Sequence, residues 1–211
     1  MAVYGRRERS TVKAMTDDWG TAPILEGKHV RLEPLAVEHA DGLFEAGQDP
    51  DIWTWLSAKA RPADVPGAQA WIEKHRVAHG IMAFAQIDVA SGQVCGTTSY
   101  HDIDAENRVL GIGHTWLGKQ WRRTACNTES KLLLLTHAFD VLGANRVFWQ
   151  TDDKNLRSQQ AIERLGAKPD GVLRNHRIRS DGSLRHSFIY SMIPAEWPAA
   201  RERLTQRLLH S

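Results

Sequence analysis

Trp116-Leu117-Gly118-Lys119-Gln120-Trp121-Arg122-Arg123-Thr124-Ala125-Cys126-Asn127-Thr128-Glu129 is the stretch that decides the fold. Before it, Val109 to Leu117 is apolar and β-prone and reads as a strand, which Gly118 breaks. After the basic turn, Leu132, Leu135, Phe139 and Leu142 recur at helical spacing. A strand that ends in a basic turn and reopens as a helix gathers unpaired backbone N–H groups and the positive helix end at one point. That is an anion site by geometry, apt for phosphates. An ordinary strand–helix crossover whose arginines are merely solvated fits this stretch equally well.

Outward from there, the 211 residues suffice for one domain with a sizeable core. Hydrophobic content of 42% and charged content of 25% fall in the ordinary globular range. A net charge of +2 is too weak to argue for nucleic acid, and no direct DNA binding is expected. Cys95 and Cys126, the only cysteines, lie far apart in sequence and show neither metal spacing nor a disulfide framework. No apolar run approaches the ~20 residues needed to span a bilayer, and the N-terminus lacks a signal-peptide core. The expectation is a cytoplasmic protein with no metal and no membrane contact. Residues 1–22 are polar and read as a flexible arm, with a single domain over 23–211.

His29 to Glu33 alternates as a strand, ended by Pro34. Val37 to Ala46 reads as a helix, and Asp49-Pro50 opens a second short one holding Ile52, Trp53, Trp55 and Leu56. Pro62, Pro66 and Gly67 punctuate a loop before a helix over 69–78 with Trp71, Ile72 and Val77 as its apolar residues. Ile81 to Val89, Val94 to His101 and Val109 to Leu117 form a meander, and the Leu-rich helix then crosses to a strand over Arg146 to Thr151. That crossover implies a parallel pair. Asn155 opens a helix closed by Gly166, and Val172 to Ile178 and Leu184 to Ile193 form a hairpin about Ser180-Asp181-Gly182. An amphipathic helix ends the chain near Leu209. The class is mixed α/β of the α+β type.

With these elements in place the chain resembles the GCN5-related N-acetyltransferases, and within them the ribosomal-protein N-acetyltransferase (RimJ/RimL-like) branch, from about Leu25 to Trp197. The phosphate-turn pattern Gln/Arg-x-x-Gly-x-Gly/Ala falls on Arg122 to Asn127, with Ala125 and Asn127 at the small-residue places. Glycine is not required there, because φ is negative in a first helical turn. More specific are Asn127 to Leu135, His137-Ala138-Phe139 and Leu142-Gly143-Ala144, followed by Thr151-Asp152, Asn155-x-x-Ser158-x-x-Ala161-Ile162 and Leu165-Gly166-Ala167. The resemblance implies a mostly antiparallel sheet with a central splayed parallel pair, flanked by helices, and acetyl-CoA held between the strands ending at Leu117 and Thr151. It implies transfer of acetyl to a primary amine by direct attack in a ternary complex.

On that basis the backbone from Arg123 through Thr124, Ala125, Cys126 and Asn127 to Thr128 would hold the pyrophosphate, with Arg122 and Arg123 adding charge. Trp116 and Leu117 would offer a free strand edge to the pantetheine amides, and Asn155 a side-chain bond, unless it simply caps its helix. Acyl transfer also needs a base, a polarised carbonyl and a stabilised thiolate. The tyrosine that serves many relatives as the acid falls on Ile162, and the resemblance to this branch implies that Ser158 meets the sulfur; helix capping near Asn155 is its other reading. The glutamate that often serves as base falls on Gly111, which leaves His114, or His101 with Asp102. Trp53 and Trp55 would wall the acceptor side, one of them turned into the core, since alternate tryptophans on a helix cannot share a face. The basic hairpin of Arg174, His176, Arg177, Arg179, Arg185 and His186 is a solvated face or steers an acidic or RNA-bound acceptor. Three functions stay open: acetylation of a protein amine of the ribosomal type, acetylation of a small amine such as an antibiotic or polyamine, and non-catalytic CoA sensing. A homodimer is compatible with each.

Overall fold

The computed structural model of the 211-residue chain describes residues 18–56, 61–76 and 78–210. One eight-stranded sheet carries the fold. Its strands are β1 (Leu25–Glu26), β2 (Val30–Pro34), β3 (Met82–Asp88), β4 (Val94–Asp104), β5 (Val109–Leu117), β6 (Arg146–Asp152), β7 (Lys168–Ile178) and β8 (Leu184–Met192). The spatial order is β1-β2-β3-β4-β5-β6-β8-β7. Every neighbouring pair is antiparallel except β5 and β6. Those two run parallel, joined through Val109 to Gly111 against Arg146 to Phe148 and no further. The central splayed pair expected from the resemblance is therefore present.

Helices cover both faces. On one side α1 (Ala40–Ala46), α2 (Trp53–Leu56) and α3 (Val65–Arg76) bury Leu43, Ile52, Trp53 and Ile72 against Ala83, Ala85, Ile87 and Trp116. On the other, α4 (Ala125–Thr136) and α6 (Trp197–Leu209) pack Leu134, Leu135 and Leu204 against Phe84, Tyr100, Leu110 and Ile112. The alternation of side chains along β3 and β5 supplies both cores. After β6, α5 (Leu156–Leu165) adds Ile162 and Leu165 to the α4–α6 core and is closed by Gly166 at φ +94, a left-handed position natural to glycine.

Several boundaries differ from the sequence expectation. Pro66 is not in a loop: it lies in the first turn of α3, where a missing N–H is harmless, and Asp64 accepts the Gly67 N–H at 2.7 Å. Strand β7 starts at Lys168 and takes in Pro169 and Gly171, tolerated because β7 is the outer edge. Trp19, within the stretch read as an arm, is buried against the α4 side of the core. Residues 1–17 of that arm, and Val77, lie outside the described residues. No helix is long and apolar enough to cross a membrane among the described residues.

Candidate active site

The turn after β5 is built as its residues dictate. Gly118 to Trp121 makes a short 3-10 turn, Arg122 is extended, Arg123 adopts φ +64, and Thr124 caps α4 by accepting the Cys126 N–H at 3.3 Å. The first turn of α4 carries no acidic residue of its own; the nearest carboxylate is Asp88 of β3, 3.9 Å from Cys126 Sγ. The two arginines part company. Arg122 is committed inward: Nη1 pairs with Asp49 Oδ2 at 2.7 Å and Nε donates to the Leu117 carbonyl at 3.2 Å. Arg123 is exposed. Arg122 therefore fastens the turn to the segment before α2, and the charge that the turn presents to solvent is Arg123.

Beyond Gly111 and Phe148 the two parallel strands separate. On its other side β5 stays paired with β4, but with a bulge: Thr97 pairs with Trp116 and Ser99 with Gly113, so Thr98 faces both His114 and Thr115. His114 takes the extra place at φ +50. The bulge is held from the α4 side by Lys131, a residue the sequence reading passed over. Its Nζ donates to Thr115 Oγ1 at 2.7 Å and Thr98 Oγ1 at 3.0 Å. Burial without a carboxylate partner lowers this amine to about 7. Glu129, two residues earlier, is also buried; its carboxylate accepts the N–H groups of Lys28, His29 and Val30 at 2.9, 2.6 and 2.8 Å. It ties α4 to the start of β2.

On the opposite face, side chains from several elements converge. His101 on β4 lies 5.5 Å from the His114 ring and 5.4 Å from Phe148 of β6, ring centre to ring centre. His75 of α3, stacked on Trp71, reaches the far edge of His114 at 6.3 Å. His101 Nδ1 is 2.9 Å from Asp102 Oδ2. His114 is exposed on one side, and these neighbours crowd the other side of its ring. Their desolvation of it, and then the charges of His101, His75 and Arg177, lower it to about 4, so it stays neutral at physiological pH. His114 and Asp102 are thus brought together, with His101 between them.

Asn155 caps α5, its Oδ1 accepting the Ser158 N–H at 3.0 Å. Ser158 is half-buried at the start of α5, just beyond the end of β6, and its hydroxyl makes no hydrogen bond to the described residues. The tryptophans divide as steric reasoning requires. Trp53 is 3% exposed, packs on Trp116 at 5.7 Å and donates to the Gly47 carbonyl, so it backs the wall and does not face an acceptor. Trp55 is 42% exposed. Trp116 and Leu117 have buried side chains, which leaves backbone as what they present to the gap. The basic hairpin is partly neutralised: Arg179 forks onto Asp152 at 2.8 Å and reaches Asp153 at 2.6 Å. Burial pushes Asp152 up, but Arg179, the Lys154 amide and Arg185 outweigh it and hold the carboxyl at about 2. No cluster of three or more metal-binding side chains occurs among the described residues.

A parted parallel pair, a helix N-terminus at the end of one strand and a capped helix after the other make a slot for a long ligand with an anionic end. Residues 29–168 match the acetyltransferase (GNAT) domain family. The chain is 30% identical over 185 residues, 84% of its length and 97% of the relative's, to the "Putative ribosomal N-acetyltransferase YdaF" of Bacillus subtilis (strain 168). Among solved structures it is similar to a GCN5-related N-acetyltransferase from Brucella melitensis (35% identity, 88% of this chain and 85% of that one, TM-score 0.83). It is also similar to an acetyltransferase structure from T. thermophilus (37% identity, 90% and 99%, TM-score 0.80). The chain belongs to the GNAT acetyltransferase family, and its enzyme class is N-acetyltransferase.

Proposed function

We propose that the protein moves the acetyl group of acetyl-CoA to an amine of a protein, of the ribosomal type, by direct attack in a ternary complex. The observation that carries the donor half is the parting of β5 from β6 beyond Gly111 and Phe148, with the N-terminus of α4 at the end of β5. The pyrophosphate would lie on the backbone from Arg123 to Thr128, with Arg123 as the charge that meets it. The free edge of β5 at Trp116 and Leu117 would bond the pantetheine arm, and the hydroxyl of Ser158 would meet the sulfur. Asn155 caps its helix and would add a bond to the arm through its amide nitrogen.

The acceptor half rests on shape and kinship. The surface along the outer hairpin, formed by Val172, Leu173, Arg174, Asn175, His176 and His186, is open and shallow. An open surface suits a polypeptide better than a small amine, which an enclosed pocket would hold. YdaF, whose name reads "Putative ribosomal N-acetyltransferase", is covered by the alignment almost end to end. In the reaction, the amine nitrogen attacks the thioester carbonyl carbon, the N–C bond forms, the C–S bond breaks, and the thiolate leaves toward Ser158. The test is to incubate the enzyme with acetyl-CoA and acceptor pools, and to locate the acetyl group by mass spectrometry. Acetyl on ribosomal-protein amines supports the reading. Acetyl only on spermidine or an aminoglycoside replaces it with small-amine acetylation, and no thiol release from any pool refutes it.

A further inference from the structure

The face of β5 that fronts the gap is bare of side chains where chemistry would be expected, and the structure shows what fills the space. A Cβ placed on Gly111 would lie 2.6 Å from His101 Nε2, and one on Gly113 would lie 2.7 Å from the same atom. Neither glycine has positive φ. Both are small because the His101 imidazole rests on them. The ring is registered directly over Gly111, since His101 pairs with Gly111 across β4–β5, and Gly111 pairs in turn with Phe148 at the last rung before the strands part. His101 therefore stands at the root of the gap.

We infer that His101 is the catalytic base of the reaction proposed above, with Asp102 as its positioning residue. The inference rests on that reading of the function. Asp102 adopts φ +47, which turns its carboxylate back onto His101 Nδ1 at 2.9 Å; Gln150 of β6 lies 3.5 Å from the same carboxylate oxygen. The Nδ1–H donates to Asp102, which leaves Nε2, over the two glycines, as the acceptor of a proton. The groups against the ring are Asp102 on β4, His114 on β5 and Phe148 on β6; beyond them, His75 of α3 and Arg177 of β7 face His114, and Gln150 of β6 and His176 of β7 face Asp102. His114 stays neutral beside it, so a charge formed on His101 meets no second imidazolium there. Asp102 supplies the opposing charge. The acceptor ammonium gives one proton to Nε2, and the free amine attacks. Its second proton leaves with the departing sulfur as the CoA thiol, and Nε2 returns the first to solvent.

The test uses the whole chain, acetyl-CoA, and two acceptors, a hexapeptide with a free N-terminal serine and spermidine, with thiol release followed across pH. His101→Gln should lower kcat by a hundredfold or more, abolish the ascending limb of the pH profile, and leave the acetyl-CoA Kd within about threefold. Asp102→Asn should lose about tenfold and shift that limb without removing it. Gly111→Ala, in which His101 is intact but crowded off its seat, should reproduce the loss seen in His101→Gln. His101→Ala combined with Gly111→Glu, which delivers a carboxylate into the vacated space, should recover part of the rate of His101→Ala. A His101→Gln enzyme with the parental rate and pH profile overturns the inference while leaving the acetyltransferase reading intact. A parent that binds acetyl-CoA and acetylates no amine overturns both.

Discussion

The turn after β5 and the cluster around His101 are built by opposite means. From Gly118 to Thr128 the groups proposed to hold the donor are backbone amides and a helix end, so the residues need only be small enough and correctly capped. Around His101 the working groups are side chains, drawn from α3, β4, β5 and β6. A backbone site tolerates drift in residue type, and Ala125 and Asn127 stand where glycine-like residues are usual. A side-chain site does not tolerate drift, but it can be rebuilt from a neighbouring strand, as His101 over Gly111 illustrates.

The sharpest separation of the two regions comes from the paired tryptophans behind the acceptor side. Trp53→Ala should cost about 3–5 kcal/mol of stability, because it empties the space against Trp116. Trp55→Ala should leave the melting temperature unchanged and raise the acceptor KM several-fold with acetyl-CoA affinity intact. Thermal melts and steady-state kinetics decide it, and a loss of CoA affinity in Trp55→Ala would move that residue to the donor side.

Ser158→Ala comes next. Removing a charge-assisted hydrogen bond to a leaving thiolate, about 1.5–3 kcal/mol, should lower turnover roughly ten- to a hundredfold, with acetyl-CoA affinity within a few fold. Parental turnover would show that the thiolate leaves unaided.

At the turn, Arg123→Glu should weaken acetyl-CoA binding by about tenfold, ~1.4 kcal/mol, in calorimetry while the melting temperature holds. Arg122→Glu should lower both affinity and melting temperature, because it sets a carboxylate against Asp49. Equal behaviour of the two variants would erase the distinction drawn between them.

The smallest effect concerns Lys131, which serves both regions by holding the bulge. Its pKa is near 7 folded and 10.5 in the ordinary case, so between those values the unfolded chain holds a proton that the folded chain lacks. Stability from this group therefore rises with pH from about 7 toward 10.5. Lys131→Met should flatten that rise and gain about 1 kcal/mol near pH 6, a few degrees in Tm, as Thr98 and Thr115 keep their mutual 2.8 Å bond. Denaturant titrations at pH 6 and pH 9 check it.

What could be read in advance follows the same division. The meander, the crossover and the basic turn are local patterns, and each appears where periodicity and turn residues place it. His101 and Asp102 could be picked out as a nearby pair, but the decisive fact, an imidazole seated on two glycines of the next strand, depends on register and leaves no mark in one sequence. Lys131 reads as a polar position in a Leu-rich helix; only the bulge above it explains a buried amine. Arg122 and Arg123 are adjacent and alike in sequence, and Asp49, more than seventy positions earlier, is what distinguishes them. Pro66 misled as a loop signal because a first helical turn spares the missing N–H, and β7 begins before Val172 because an outer strand tolerates Pro169.

The separation of β5 from β6 also bears on how the protein meets other chains. Unpaired strand edges invite strands from other molecules. The sheet has outer edges at β1 and β7, and at β7 Pro169, the irregular pairing around Gly171, and Arg174 with Arg177 discourage pairing. The stretch of β5 from Ile112 to Leu117 is a further edge, but an internal one, with the C-terminal half of the sheet standing opposite. A foreign strand has no approach to it, whereas a slender flexible ligand does. The same gap that exposes backbone groups to a substrate thus withholds them from aggregation, and β5 needs none of the guarding residues that β7 carries.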